Sequence, residues 1–445
     1  MPRLRRAPDG MEDRMKFDAV VIGAGAGGCH AAARLAAAGR RTLMIDDHAW
    51  LGGRAGTEII DGHRVNMGAI ALEPGGVFEE TFKLCGAPFN IREPSPATVF
   101  YLDRKVIDVR KGGLGFLLNG LTKQASRVLD QFSQARAGSL PDGRESTEEW
   151  LRRYTKNETV HAIFRNLCAA IFAMNASEIP ARAFLTYFTQ KGAFKRFGFH
   201  PEGTGGAWQA LADAVVRLGG EVWLSSPADR IEIVDGRAVA VHIRRDGGET
   251  IRVEADTVIC NGGPASAVAL AGAEALGEDY VRQTREILKP AANIVYNFAS
   301  REEIMPAPGI MTFGVTVNGR LCNMANLTAT CPELAPEGWH QYVAYAVPRP
   351  AIGDFDSNAE IEMGLEDLRA QFPGFDDKVK MLSIRVMRDD WPAQRSGAGY
   401  DMNIATPVAG LWCVGDAVKD YGNGGTQACA ESAKRVVERV LSPAA

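Results

Sequence analysis

The chain has 445 residues, 46% of them hydrophobic and 23% charged, with 48 glycines and 22 prolines. These fractions exclude a mainly disordered, collagen-like or disulfide-stapled chain and suit a folded protein of two large domains or one elaborated fold. Fifty Lys and Arg against 54 Asp and Glu leave a formal net charge of −4, which argues against a dedicated nucleic-acid binder with its concentrated basic surface.

Residues 1–16, MPRLRRAPDGMEDRMK, are charged and lack the apolar centre of a secretory leader, so they read as a flexible tail. From Phe17, FDAVVIGAGAGGCHAAARLAAAGRRTLMIDDH predicts a buried strand (Asp18 to Ile22), a glycine turn, an alanine-rich helix (about Gly28 to Ala38) and a second strand (Thr42 to Ile45). The turn is G-x-G-x-x-G: Gly23 permits the tight bend, Gly25 lets backbone amides approach a pyrophosphate, and Gly28 allows close helix–strand packing. The helix start adds unpaired N–H groups and a positive dipole end. Asp46 ends the second strand, where an acid accepts hydrogen bonds from the ribose hydroxyls of an adenosine. LGGRAGT follows (Leu51 to Thr57). Gly52 and Gly53 let the backbone pass close to a bulky ligand, and Arg54 can reach a phosphate or a flavin edge, which turns the reading from NAD to FAD.

Lys111 to Leu121, KGGLGFLLNGL, is a lid or membrane-dipping loop, or else ordinary helix packing. Residues 145–199 predict helices, with Glu148, Trp150, Leu151 and Tyr154 at helical spacing. Phe184 to His200 interleaves aromatics with Lys191, Lys195 and Arg196; it suits a membrane-surface edge or a lipophilic wall, and suits still better a helix that buries its aromatics. From Glu221 to Val258 strands and turns alternate, with hairpin signals at Asp235-Gly236 and Gly247-Gly248. At the far end, a short strand (Leu411 to Val414) runs into Gly415-Asp416, a glycine turn (Gly422, Gly424, Gly425) and a helix from about Thr426. Asp416 is placed for the ribityl–pyrophosphate stretch. Gly425 and Thr426 offer amides that would stabilise negative charge at N1/C2=O of a reduced flavin.

Other chemistries lack their signatures. No two of the eight cysteines form Cys-x-x-Cys, the seven histidines show no metal spacing, and no metal site is expected. No apolar run approaches the ~20 residues of a membrane-spanning helix. No second dinucleotide fingerprint appears in mid-chain, so the electron acceptor is oxygen, a quinone or a partner protein rather than a bound nicotinamide.

Taken together, VVIGAGAGG, Asp46, LGGRAGT and GLWCVGDA…NGGTQACAESA resemble the FAD-dependent oxidoreductases of the phytoene desaturase and flavin amine oxidase superfamily. PEGTGGAWQALADAVVRLGGEVWLSSPADRI and EADTVICNGGP look like elements of its desaturase branch. The resemblance implies an α/β fold: a Rossmann-type, GR2-like FAD-binding domain with a discontinuous mixed α+β substrate domain. It implies FAD as cofactor, backbone contact from Ala228 to adenine, and return of the chain to the flavin domain at Asn261 to Pro264. The motifs then place the flavin domain at about 17–75, 201–288 and 396–445, and the substrate domain at 76–200 and 289–395.

A flavin takes the hydride itself, so the protein need supply no acid–base pair, and none with convincing spacing is present. Tyr421, Asn423, Arg388 and Trp391 are the candidates to face a substrate, with Lys419, Asp420 and Arg395 near them. Where the amine oxidases carry a lysine near the flavin, NIVYNF offers Asn293. The expected activity is oxidation or desaturation of a hydrophobic small molecule, such as a polyene, terpenoid or steroid. Oxidation of a C–N bond, isomerisation without net redox, and a non-enzymatic lipid escort role are the alternatives. The expected location is cytoplasmic, with peripheral contact at the inner membrane surface as an option.

Overall fold

The computed structural model describes residues 15–102, 105–108, 122–189, 196–245, 248–305, 307–314 and 316–442. In chain order the strands are β1 (Met15–Ile22), β2 (Thr42–Ile45), β3 (Thr57–Ile60), β4 (His63–Asn66), β5 (Thr98–Leu102), β6 (Lys105–Asp108), β7 (Glu221–Trp223) and β8 (Ala228–Val234). They continue as β9 (Arg237–Arg244), β10 (Thr250–Cys260), β11 (Asn293–Ser300), β12 (Ile310–Phe313), β13 (Leu321–Asn326), β14 (His340–Ala346), β15 (Val379–Met387) and β16 (Leu411–Cys413). The helices used below are α1 (Ala26–Ala37), α2 (Gly76–Cys85), α3 (Thr122–Arg136), α4 (Thr147–Arg152), α5 (Glu158–Phe172), α6 (Ala181–Thr189), α7 (Thr204–Arg217), α8 (Ser357–Gln371) and α9 (Gly425–Leu441).

Two sheets organise these elements. The first has the order β7-β2-β1-β10-β9-β8, with β16 also on β10. Its centre is parallel: β1 lies between β2 and β10, and Phe17, Ala19, Val20 and Val21 are fully buried, as a central strand covered on both faces requires. Strand β10 changes partner along its length. Residues 250–254 pair antiparallel with β9, and residues 258–260 pair parallel with β16. The β8–β9 hairpin turns at Asp235 and Gly236, both with positive φ (49° and 72°), the geometry of a two-residue turn whose twist matches its strands. The second sheet, β15-β11-β14-β13-β12-β5-β6, is antiparallel except where β12 meets β5. Helix α8 packs on one of its faces through Leu365 and Leu368.

Two expectations need adjusting, and a third is met in the described residues. Strand β1 begins at Met15, which pairs with Val253, so Met15 and Lys16 belong to the sheet and not to a flexible tail; residues 1–14 lie outside the described residues. Helix α2, assigned by sequence to the substrate half, contributes Phe78, Phe82 and Cys85 to the same apolar core as α1, α7 and the first sheet. Its amphipathic face therefore carries the first unit past residue 75. Finally, α6 turns Phe184 and Phe188 inward onto Phe132 and Phe164, and Phe197 and Phe199 are also buried. In the described part of the aromatic stretch, packing accounts for the pattern. Lys111–Leu121 and residues 190–195 lie outside the described residues. Among the described residues, no helix is long and apolar enough to cross a membrane.

One core residue is unusual. His30 of α1 is fully buried against Phe78 (ring centroids 4.8 Å apart), Phe82 and Trp208, and neither ring nitrogen has a hydrogen-bond partner. Burial, aided by nearby Arg34, pushes its pKa down to about 3.

Candidate FAD and substrate site

A cavity of about 770 Å³ runs from the carboxyl ends of β1 and β2 to the face of the second sheet. At one end are Asp46 and the Ser226–Ala228 segment, in the middle Gly23, Gly25, Gly53 and Arg54 with Gly415 and Asp416, and beyond them the Gly424–Thr426 turn. Each of these comes from a strand end or a helix start, so residues from three distant stretches of chain meet across one crevice, as open parallel sheets arrange their ligands.

The glycine turn is built for close approach. A Cβ on Gly28 would sit 1.9 Å from the Gly23 carbonyl oxygen, which explains that glycine by packing alone, away from the cavity wall. A Cβ on Gly25 would sit 2.6 Å from Nδ2 of Asn261, whose Oδ1 accepts the Gly28 N–H at 2.9 Å. No side chain caps the start of α1 and its first turn holds no acid, so this end of the helix dipole is left for an anion.

The charged groups around it are unequal. Asp46 accepts from the Ala24 N–H (2.6 Å), the His48 N–H (2.9 Å) and the His48 ring (3.0 Å). Burial pushes its carboxyl above the ordinary value against those amides. A carboxylate offers about four lone-pair positions, so one remains for a sugar hydroxyl. Arg54, read as a phosphate or flavin ligand, is engaged by protein: it pairs with Asp416 at 2.8 Å and donates to the carbonyls of Pro392 and Ala393. It ties the Gly52–Gly53 turn to the C-terminal segment. Burial alone would raise the Asp416 carboxyl, but Arg54, Lys419 and the Arg395 amide outweigh it and hold it below its ordinary value. Lys419 is buried and spends its protons on Asp401, Ser396 O and Asp416 O, so it braces this segment.

Arg395 is the exception. Its guanidinium lines the cavity and makes no ion pair or side-chain hydrogen bond among the described residues, and burial beside Arg54 lowers its pKa. A half-buried cation that no protein acid pairs gains when an anion joins it, and a pyrophosphate supplies one. With the glycine cradle and the uncapped helix, this makes the residues present a fit for FAD. Arg395→Met is expected to weaken FAD binding about tenfold, the loss of one charge-assisted hydrogen bond; the flavin-to-protein absorbance ratio after extensive dialysis measures it.

At the start of α9 an acid adds to what the sequence led one to expect. The Glu73 carboxylate accepts from the Thr426 hydroxyl at 3.1 Å and from the Gln427 N–H, next to the Gly425 and Thr426 amides proposed to face a flavin. Glu73 carried no sequence signal, since nothing in ALEPGG ties it to a helix more than 350 residues away.

The proposed substrate-facing residues separate. Trp391 lines the cavity, packed against His48 (5.0 Å). Tyr421 is 40% exposed and lies off the cavity wall. Asn423 donates to Glu431 at 2.6 Å, and Arg388 turns to Phe355 O, Ser357 and Asp389. These three side chains serve their loops. The far wall is instead the second sheet's inner face, with Asn293, Asn323, Tyr345 and Met387, opposed by Ala169–Ile171 at the end of α5. The Tyr345 hydroxyl donates to Gly68 O at 2.5 Å.

Residues 27–441 match the family of flavin-containing amine oxidoreductases. The chain belongs to that family. Members of the family use FAD, and this chain is an FAD oxidoreductase with the two-sheet α/β fold of its relatives. It is 25% identical to a phytoene dehydrogenase of Streptomyces griseus over 87% of this chain and 85% of that one. It is 22% identical to a chloroplastic prolycopene isomerase of Arabidopsis thaliana over 90% and 79%. An oxidoreductase from Methanosarcina mazei superposes with a TM-score of 0.82 at 26% identity, covering 95% of this flavoprotein and all of the other.

Proposed function

We propose that this flavoprotein removes hydride from an apolar small molecule of the polyene, terpenoid or steroid kind. The observation that carries the reading is the composition of the far wall. Ala169, Ala170, Ile171, Ile310, Val347 and Met387 are apolar, and the titratable groups among them are Cys322 and Tyr345, both pushed up by burial and thus neutral. FAD, when bound, supplies the hydride acceptor, so the wall need only hold and orient a substrate. A cationic amine would call for a facing carboxylate or an aromatic cage. Outside the nucleotide cradle the lining acids are Glu73, engaged with Thr426 and Gln427, and Asp390, which is exposed on the loop before Trp391 and away from the apolar wall residues named above.

The names of the two relatives support a polyene-type substrate and also a second reading, isomerisation without net redox. Anaerobic mixing of the holoprotein with a polyene, a terpenoid alcohol, a steroid and a primary amine separates them. The expected result is loss of the oxidised flavin's visible absorbance with one of the first three. Bleaching by the amine alone would sink the proposal. Conversion of a polyene only after prior chemical reduction of the flavin would favour the isomerase.

A further inference from the structure

A second, smaller cavity of about 150 Å³ opens on the substrate half and shares no lining residue with the first. One side of it is α5, where Ala162, Arg165 and Asn166 stand three and four residues apart and so share a face. The other side is the loop between β12 and β13, from Gly314 to Gly319, together with Arg349 beyond β14. Arg165 lies one helical turn before Ala169, and Arg349 two residues after Val347. Ala169 and Val347 both line the larger cavity, so the two cavities are neighbours along α5.

The loop is fixed by acids that are already spent. Asp367 of α8, fully buried, accepts from the Thr316 hydroxyl (2.9 Å) and from the N–H groups of Asn318 (2.6 Å), Arg320 (2.8 Å) and Leu321 (3.0 Å). Four bonds fill the lone-pair positions of a carboxylate. Glu360 holds the Arg320 guanidinium through both of its oxygens, at 2.5 and 3.1 Å. The two arginines on the cavity are not matched in this way. Arg349 makes no ion pair among the described residues, and one of its N–H groups donates to the Gly319 carbonyl at 2.6 Å. Arg165 meets Glu158 only at 3.8 Å, and that carboxylate is 84% exposed, so solvent screens the pair. Arg349 is partly open to solvent; what burial it has, followed by the charges of Arg320 and Arg165, holds its pKa below the usual arginine range, although Glu360 and Asp367 pull the other way.

We infer that this cavity is an oxyanion site whose ligand is a phosphate group, an inference that stands apart from the apolar-substrate reading above. A guanidinium is planar and weakly hydrated, and its paired N–H groups match the oxygens of a phosphate. Here two of them, from separate elements, line one small space. Neighbouring cations repel each other, and an anion placed between them replaces that repulsion with two attractions. Because Asp367 pins the loop before any ligand arrives, binding adds little ordering cost. Val317 on the rim is 74% exposed, so the mouth is open to ligands from outside. The site binds only; no bond to phosphorus forms or breaks.

Calorimetric titration of oxidised holoprotein with inorganic phosphate and with phenyl phosphate, at constant ionic strength, tests the site. Sedimentation with phosphatidylglycerol vesicles, against phosphatidylcholine as the neutral control, tests whether a lipid supplies the group. Wild type is expected to bind at least one of these phosphates, and Arg349→Gln and Arg165→Gln each to weaken that binding about tenfold. Arg349→Lys keeps the charge without the fork and is expected to fall between. Arg152→Gln, which removes an exposed arginine elsewhere, is expected to bind like wild type. An unchanged flavin spectrum shows that each variant is folded. Sedimentation with phosphatidylglycerol that both Gln variants reduce assigns the phosphate to a lipid head group; binding of the soluble phosphates without sedimentation assigns it to a soluble ester. Failure of every phosphate probe to bind, or binding that survives in both Gln variants, would overturn the site and leave the reading of the larger cavity untouched.

Discussion

Gly25→Val is expected to purify as a colourless protein, with FAD affinity at least a hundredfold below wild type. Two effects act together. A single Cβ at this position already falls 2.6 Å from Nδ2 of Asn261, closer than real carbon atoms come. Valine's two methyl groups add to that encroachment and push on the asparagine that holds the Gly28 N–H and so the opening of α1. The same volume fills the place from which the backbone would meet a pyrophosphate. A hundredfold is about 2.7 kcal/mol, well within what a misplaced phosphate cradle costs. Full flavin occupancy in the variant, read from its visible spectrum, would contradict the assignment of this turn.

His30→Leu is expected to change how stability depends on pH. In the folded protein His30 binds a proton only near pH 3, because burial among Phe78, Phe82 and Trp208 disfavours the charged ring. In the unfolded chain its pKa returns to about 6.5, so between those values the unfolded state holds the extra proton and folding stability falls as pH falls. From pH 7 to pH 4.5 this one residue costs about 2.5 kcal/mol. Leucine, of similar volume and without nitrogens to satisfy, removes that dependence and adds about 1 kcal/mol at neutral pH. Urea unfolding of both proteins at the two pH values measures it: the gap between them should widen by about the first figure. An unchanged gap would mean that the ring is protonated or solvated in the folded state.

Much of the nucleotide half was legible because its constraints are local. Gly23, Gly25, Gly28 and Asp46 sit within one strand–turn–helix–strand unit, where spacing alone reports the geometry, and the cavity forms beside three of them. The rest depended on contacts that no window of sequence contains. Arg54 looks like a free cation in LGGRAGT and is bonded to Asp416 and to the loop before Arg395. Arg388 and Arg395 are alike in VMRDDWPAQRS, yet one turns to Phe355 and Ser357 while the other lines the crevice. Asn323 did leave a trace: an asparagine within LCNMAN, otherwise apolar enough for a buried strand, needs a partner, and its amide finds one in the Ala170 carbonyl.

The pairing of β10 also bears on how the polypeptide reaches its final form. Its partners β1 and β16 lie far apart in sequence, and α9 packs against α1 only once residues 425–441 have been made. During synthesis, β1 and its glycine turn emerge early and wait with an open hydrogen-bonding edge until residues 250–260 and then 411–413 arrive. Long-range parallel pairing of this kind is slow and leaves apolar strands exposed to other chains. Nascent molecules therefore stay exposed to one another until residues 411–441 have been made, and early supply of the vitamin-derived ligand cannot shorten that interval, because part of its grip comes from that stretch.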